Sequence, residues 1–388
     1  MFQRFLFSPK KGFAFTISVC LLSITYAQNT GIYNTYTNEQ NYPHLSKQRS
    51  FVYQPIKNWL YSHHPSITFF NNRFFAIWSN GKKDEDAPGQ RVMYSHSPDG
   101  MHWSVPRILA NPSLYAKDTL NVLTAAGFHQ YRDTLVVYYG EYSPHKTQTH
   151  LWAKTSTDGE HWSDPINMHI PVNPNQGPVA IAGGRLIICG NFTFSYTDDP
   201  SGIRNWQVRS FYSDSLYTQD NPATFYRPAE KNHLPPLCES SFFQTRNGKI
   251  HALLRVTGNG WKGRLWLTES DDQGEHWSIP VETHFTDNDS KFQFGNLPSG
   301  KGFFYVGIPD TLHHYARTPL VLAIAKSGTV FNQSYIIADE NYTLQNEGLW
   351  KGGQYGYPNA IIQNGKMYVI VSRQKEAIEV IHFLLPEK

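Results

Sequence analysis

Three copies of one turn pattern punctuate this chain: Ser97-Pro98-Asp99-Gly100-Met101-His102-Trp103, Ser156-Thr157-Asp158-Gly159-Glu160-His161-Trp162 and Ser270-Asp271-Asp272-Gln273-Gly274-Glu275-His276-Trp277. A recurring motif constrains architecture before any single residue is interpreted, because each copy marks one supersecondary unit. In every copy an Asp can accept backbone N–H groups inside a turn, a Gly supplies a positive φ, and a Trp packs the turn onto the next strand. The interval from Trp162 to Trp277 is close to twice that from Trp103 to Trp162, so one copy is missing between them. A degraded version stands in the gap at Asp198-Asp199-Pro200-Ser201-Gly202-Ile203-Arg204-Asn205-Trp206. Another, lacking the Asp, is Ser327-Gly328-Thr329-Val330-Phe331.

Between the turns run short alternating strands, and no long amphipathic helix is evident. Hairpins are expected at Ser66–Trp78, Leu123–Tyr139, Val179–Cys189, Ser240–Leu254, Phe294–Val306 and Asn359–Val371, each folded around a Gly, Asn or Asp turn. Five are followed by a third strand and a turn motif. The sixth is followed only by Ala377–Leu385, so its outer strand must come from elsewhere, and Ser50–Ile56 is the donor expected to close the ring. The motif is the Asp box, and from about Pro55 to its end the chain resembles sialidase-like β-propellers. The fold expected is all-β, a propeller of six four-stranded blades. Seven stays open, since Thr193–Leu237 and Ala338–Tyr357 are long enough to hide an irregular blade.

At the N-terminus, Arg4, Lys10 and Lys11 precede an apolar run from Phe13 to Ile24 and then Thr25-Tyr26-Ala27. This pattern reads as a secretory signal over residues 1–27, too short for a membrane span, and the chain is expected to be exported. A lipid anchor on Cys20 is not expected, because Val19 is a poor residue to precede a lipidated Cys. Residues 28–49 form an extension and 50–388 a single domain. The mature chain keeps only Cys189 and Cys238, so disulfides do not carry the fold. A net charge of +3 with interspersed signs gives no nucleic-acid stripe, whereas 15% aromatic residues against 17% charged ones suit carbohydrate-facing stacking surfaces. The chain is read as a monomer without a cofactor.

In a propeller the innermost strands deliver their first residues to one face of a central funnel. Those starts are Tyr61-Ser62-His63-His64-Pro65, Thr124-Ala125-Ala126, Asn175-Gln176-Gly177-Pro178, Cys238-Glu239-Ser240, Gln293-Phe294-Gly295-Asn296 and Gln354-Tyr355-Gly356-Tyr357-Pro358. Polar and aromatic residues collect there, as a sugar pocket requires. Strand alternation implies that at most one imidazole of His63-His64 faces the funnel, and Pro65 is expected to hold His64 extended. A His near neutrality can serve as general acid or base. No metal is expected at His63-His64 or at His313-His314, and Asp84-Glu85-Asp86 reads as a charged surface loop rather than a calcium site. Glu239 is the one carboxylate at an inner-strand start, which argues against a two-carboxylate glycosidase.

A sialidase needs three arginines clamping a carboxylate, a Tyr–Glu pair and an Asp acid, with an Arg at the start of the first blade. That strand instead reads Ser-His-His-Pro-Ser-Ile, and the single Tyr-Arg-Pro lies mid-chain at Tyr226-Arg227-Pro228. The His-His-Pro strand, followed by Trp78-Ser79-Asn80 and Asp84 to Gln90, is similar to bacterial α-L-rhamnosidases acting on rhamnosyl-glucuronate, and to the related ulvan and rhamnosyl-glucuronate lyases. The resemblance implies a glycoside hydrolase removing α-L-rhamnose from D-glucuronate in a polysaccharide or its oligosaccharides, with His64 catalytic and His63 the alternative. A lyase acting by β-elimination and a non-catalytic glycan binder are the other readings. Gln90 stands where the lyases would carry a second His. A uronate carboxylate requires a cation, for which Arg255 and Arg264 are candidates, Arg255 being equally suited to a blade-to-blade ion pair. Tyr142, Glu239, Tyr357 and Gln90 complete the expected substrate-binding set.

Overall fold

The computed structural model describes residues 31–112, 122–142, 149–172, 174–191, 193–211 and 234–386. Residues 1–27, read above as a secretory signal, and Tyr226-Arg227-Pro228 lie outside them. The six expected hairpins each begin a separate antiparallel sheet. Blade 1 consists of Tyr61–Phe70, Arg73–Gly81, Arg91–Ser97 and Arg107–Ala110, and blade 2 of Val122–Tyr131, Thr134–Tyr142, Thr149–Ser156 and Ile166–Asn167. Blade 3 has three described strands, Val179–Ala180, Leu186–Cys189 and Phe194–Thr197. Blade 4 is Leu237–Gln244, Ile250–Val256, Arg264–Ser270 and Val281–Thr286, and blade 5 is Gln293–Asn296, Phe303–Gly307, Leu320–Ala325 and Gln333–Ala338. Blade 6 joins Gly356–Gln363, Lys366–Arg373 and Ala377–Leu384 to Lys47–Tyr53, whose register runs from Lys47 opposite Phe383 to Tyr53 opposite Ile378. The N-terminal partner strand is thus centred a few residues before the expected Ser50–Ile56.

Apolar residues alternate into the spaces between blades, so the core is a ring of separate clusters rather than one mass. One joins Trp78, Ile67 and Phe74 of blade 1 to Ile370 and Val380 of blade 6, and another joins Val306 and Leu322 of blade 5 to Val369 and Ile381 of blade 6. Ahead of the first blade, Tyr33–Asn34 pairs in parallel with Val330–Phe331, and Thr329 Oγ1 donates to the Gly31 carbonyl at 2.7 Å. The chain's own N-terminal segment therefore clasps the corner whose turn motif lacks an Asp.

The Asp boxes fold as the turn chemistry requires and also act as latches. Asp99 Oδ1 accepts the N–H groups of Met101 and His102, each at 2.9 Å, and its other oxygen meets the His102 ring at 2.7 Å. The His102 backbone and ring hold this carboxyl well below the ordinary range. The degraded copy uses Thr197 in place of the leading Ser: its Oγ1 accepts from Asp199 N at 3.0 Å, and Trp206 Nε1 donates to the Gly202 carbonyl at 3.1 Å. Each box packs on the preceding blade. Ser50 of blade 6 donates to Met101, Arg73 of blade 1 pairs with Glu160, Tyr138 of blade 2 donates to Gly202, and Tyr196 of blade 3 donates to Glu275.

Trp277 is the most buried of the box tryptophans from the three full copies. It stacks on Phe194 at 4.0 Å and 20°, with Nε1 bonded to the Gly274 carbonyl at 3.1 Å. Trp277→Ala is expected to cost about 3–5 kcal/mol, as deletion of a large buried aromatic does. Denaturant unfolding should register that loss, while activity well below the transition stays within about twofold of wild type.

Candidate active site

Four of the six inner strands begin with a break in register: between His63 and Ser66, Ala125 and Gly127, Leu237 and Ser240, and Gly356 and Asn359. Such bulges bend a strand and re-aim its side chains. His64 and Tyr357 sit in them with φ of 52° each, and each precedes a proline. The extended backbone expected at His64 is therefore not adopted. The bulge absorbs one residue in a left-handed conformation, and strand alternation is lost at that point. Both imidazoles consequently lie on the Tyr357 ring, with centroids 4.1 Å away for His63 and 5.2 Å for His64, so alternation does not send them to opposite faces.

His63 is completely buried, with Nδ1 on Ser372 Oγ at 2.7 Å. Gly356 makes room for it, since a Cβ there would lie 2.8 Å from His63 Cε1. Burial, then the neighbouring His64 and the Lys375, Arg317 and Lys291 cations, push its pKa well down. His64 is half-buried, with Nδ1 3.2 Å from Ser79 Oγ, which also accepts the Ala125 N–H at 3.0 Å. Burial pulls its pKa to about 3, with Asp86 and Glu239 opposing. At neutral pH His64 is a hydrogen-bonding group or a base, and it has no proton to give as an imidazolium.

Tyr357 Oη donates to Glu239 Oε1, joining blade 6 to blade 4 across the funnel. Arg255 Nη1 lies 3.1 Å from both Tyr357 Oη and Glu239 Oε2, and its Nε lies 3.0 Å from Asp289 Oδ1. Burial works to raise the Glu239 pKa, but the Arg255 charge and hydrogen bonds from Cys238 and Tyr357 hold it at about 2. Burial and the adjacent Glu239 charge push the Tyr357 phenol well above its ordinary value. The resting pair is therefore a neutral phenol bonded to a carboxylate. Arg255, Lys291 and Arg317 stand 5.9, 5.6 and 5.6 Å from the Tyr357 ring centroid.

The Asp84-Glu85-Asp86 triplet is not the solvated loop expected. Asp84 Oδ1 accepts from Leu349 N at 2.7 Å, Glu85 pairs with Lys375 at 2.5 Å, and Asp86 Oδ1 accepts from Tyr142 Oη. Gln90 is wholly buried and braces this loop. Its Oε1 accepts from Asp86 N at 3.3 Å and its Nε2 donates to the Leu123 carbonyl at 2.8 Å. Arg264 stands two strands out from the funnel, on the third strand of blade 4, and donates to the His284 carbonyl at 2.9 Å. Of the two arginines proposed for a uronate, Arg255 reaches the funnel, and it makes cross-funnel contacts as well as ion pairs.

Ligand atoms of His63, His64 and Glu85 approach within 4.8 Å of one another. Lys375 already occupies a Glu85 oxygen, and Lys291, Lys375 and Arg317 all act on the imidazoles, so the surroundings oppose a cation. His314 is stacked between Trp261 and Tyr315, at 3.9 and 3.7 Å, and its Nε2 meets Asp289 at 3.1 Å.

Sequence reasoning missed Arg317, Lys291, Asp289 and the role of Asp86. Arg317 is buried, and among the described residues its Nη1 has no hydrogen-bond partner. Lys291 is 5% exposed and closes a buried polar run, Asp287-Asn288-Asp289-Ser290-Lys291, immediately before the inner strand of blade 5. Position just ahead of an inner strand was the available signal. Asp86 comes from the loop between the second and third strands of blade 1, a place that a survey of inner-strand starts does not reach.

An Asp-box propeller with a phenol–carboxylate pair and basic side chains at its funnel is a sialidase-like scaffold. The chain belongs to the BNR repeat-like domain family, whose model matches residues 72–369. Among solved structures it is similar to a sialidase, with a TM-score of 0.62 and 16% identity over 92% of this chain and 35% of the other. It is also similar to Trypanosoma rangeli sialidase in complex with 2,3-difluorosialic acid as a covalent intermediate, with a TM-score of 0.61 and 14% identity over 88% of this chain and 59% of the other. Phage phi92 endosialidase gives 0.58 and 10% over 89% and 70%. The chain spans 35% and 59% of the lengths of the first two. No curated protein matches.

Proposed function

We propose that this chain is a glycoside hydrolase acting on a carboxylate-bearing sugar, with Tyr357 as nucleophile, Glu239 as acceptor of its proton and Asp86 as the acid at the leaving oxygen. The observation that carries this reading is the buried Tyr357 phenol donating to a carboxylate that Arg255 keeps ionised. A phenol is a weak nucleophile until an adjacent base takes its proton, and a Tyr nucleophile replaces the usual carboxylate in sialidases. Tyr357 Oη bonds to the anomeric carbon as the glycosidic C–O bond breaks. Its proton passes to Glu239, and the Asp86 proton passes to the departing oxygen. Water then attacks, giving its proton to Asp86, and Tyr357 leaves with the proton held by Glu239.

His63-His64 stand at the start of the first inner strand, where the sialidase pattern has an arginine. Arg317 and Lys291 are then the cations available to a substrate carboxylate, a mixed set that suits an acidic sugar in general. A second reading follows from His64: it is half-buried beside Tyr357 and uncharged at neutral pH, so its imidazole can accept a proton, although burial makes it a weaker base than a free imidazole. In that reading the substrate is α-L-rhamnosyl-D-glucuronate, cleaved by hydrolysis or by β-elimination.

The test is incubation of the purified protein with α-sialosides, rhamnosyl-glucuronides and ulvan oligosaccharides, with both product ends identified. Release of an acidic sugar is expected. A 2,3-difluoro analogue of that sugar should leave a covalent adduct on the Tyr357 peptide in mass spectrometry. Free rhamnose without an adduct would support the His64 reading, and an ultraviolet-absorbing unsaturated uronate would assign elimination. Glycan binding with no turnover would leave a binding module.

A further inference from the structure

Between the last strand of blade 5 and the inner strand of blade 6, residues 339–355 form a loop that is fastened at several points. Glu376 Oε1 accepts from Gln345 N at 2.7 Å and its Oε2 from Asn346 N at 3.0 Å, and the same carboxylate pairs with Lys351 at 3.0 Å, both side chains being fully buried. Lys351 Nζ also donates to the Leu60 carbonyl at 3.0 Å. Leu349 N donates to Asp84 Oδ1 at 2.7 Å, and the Leu349 carbonyl accepts from Glu85 N at 3.3 Å. Gly348 permits this approach, because a Cβ there would lie 2.7 Å from the Lys83 carbonyl oxygen. The loop is thus zipped to the one that carries Asp86.

What this pinned loop presents to solvent is apolar. Leu349 is 67% and Trp350 78% exposed, set between the Asp84 clasp on one side and the buried Lys351 on the other. Trp350 also has a φ of 62°, a left-handed conformation that is an outlier for a bulky residue and persists only where its surroundings impose it. At Gly352 and Gly353, with φ of 134° and 80°, the chain meets the same demand with glycine. A turn that needed only its backbone would be better served by glycine at position 350 too. The indole is therefore kept for its side chain, in a place where it packs into no core.

Resting on the glycosidase reading above, we propose that Trp350, with Leu349 beside it, is a stacking platform for a sugar on the leaving-group side of the scissile bond, which suits the protein to oligosaccharides over simple glycosides. Position commits the occupant. Traced through Glu85 N and the Leu349 carbonyl, the Trp350 Cα lies within about 12 Å of the Cα of Asp86, the acid at the leaving oxygen, a span of the order of one disaccharide. Two side chains make too small a patch for a protein partner, whose interface needs about 1,000 Å² or more. A flat indole whose backbone is already fixed matches a pyranose ring, which stacks by its apolar face and keeps its hydroxyls in water. Lys82 and Lys83 stand exposed in the facing loop as donors to such hydroxyls.

Steady-state kinetics on two probe pairs test this: 3′-sialyllactose against nitrophenyl N-acetylneuraminide, and a rhamnosyl-glucuronate tetrasaccharide against nitrophenyl α-L-rhamnoside, the pair that wild type turns over being the one used. Trp350→Ala should raise KM for the oligosaccharide roughly 10- to 100-fold and leave the nitrophenyl partner within about twofold of wild type. Trp350→Phe keeps a ring and should restore most of the loss. Trp350→Gly should share the KM of the Ala variant yet unfold at no lower denaturant concentration than wild type, since the backbone there suits glycine. An unchanged KM for the oligosaccharide in Trp350→Ala overturns the proposal. So does an equal loss on both partners, which would mean that the loop acts by positioning Asp86, and so does marked destabilisation in Trp350→Gly, which would make Trp350 a structural residue. Where wild type turns over neither pair the hydrolase reading fails, and calorimetry with the two oligosaccharides decides this site alone. Binding weakened roughly tenfold or more in Trp350→Ala upholds the platform, and binding that is unaltered or absent overturns it.

Discussion

Tyr357→Phe is expected to lower kcat by roughly a thousandfold or more while leaving the fold and substrate binding nearly intact. The substitution removes one oxygen from a side chain that is otherwise held by ring contacts with His63 and His64 and by three cations at its edge and face. What disappears is the atom that would bond to sugar and the donor to Glu239. Glu239 keeps Arg255 as a partner, so the buried carboxylate is not stranded and the stability cost should stay near 1 kcal/mol. A loss confined to kcat, with KM within a few fold, identifies an interaction made at the reacting centre. Retention of more than a tenth of wild-type kcat would remove Tyr357 from the chemistry. If His64 were instead the reacting base, His64→Ala would carry the large loss and Tyr357→Phe a small one.

The parts of this molecule that were legible in its sequence are those determined over short distances. An Asp box is a local hydrogen-bonding problem: Ser97, Asp99, Gly100 and Trp103 solve it within seven residues, and the degraded copy solves it with Thr197. Hairpins are legible for the same reason, since period-two alternation and a turn residue suffice. The inner-strand starts named His63, His64, Glu239 and Tyr357, which the structure brings into contact with one another. Their relations were not legible. Tyr357 and Glu239 meet because the inner strands of blades 6 and 4, on either side of blade 5, converge at the centre of the ring, and nothing local to either residue records that. His63 and His64 share a side because a bulge breaks the alternation on which the sequence argument depended. Lys291 and Asp289 were hidden by composition: a run of Asp, Asn, Asp, Ser and Lys reads as solvated loop, whereas here it is buried and engaged with charges from other blades. Asp86 was hidden by its place on a loop that folds back over the funnel, where Tyr142 and Gln90 fix it.

The acid at the leaving oxygen can be told apart from its rivals by leaving-group chemistry. Asp86→Asn should reduce kcat/KM for a substrate with a sugar aglycone by roughly 10²- to 10⁴-fold, the range for a lost general acid. With a nitrophenyl aglycone of the same sugar the loss should be under tenfold, because a nitrophenolate departs without needing a proton. His64 lies beside Tyr357, and burial keeps it neutral. Asp86→Asn leaves that burial in place, so His64 stays neutral and cannot take over as acid in the variant. His64→Ala should accordingly lower both substrates alike, through lost positioning of Tyr357. Equal losses on the two aglycones in Asp86→Asn would show that Asp86 positions Tyr142 and the loop rather than donating a proton. The Gln90 brace distinguishes these further: Gln90→Ala releases Asp86 N and the Leu123 carbonyl without touching the carboxylate. It should reproduce a positioning defect and leave the dependence on the leaving group as it is in wild type.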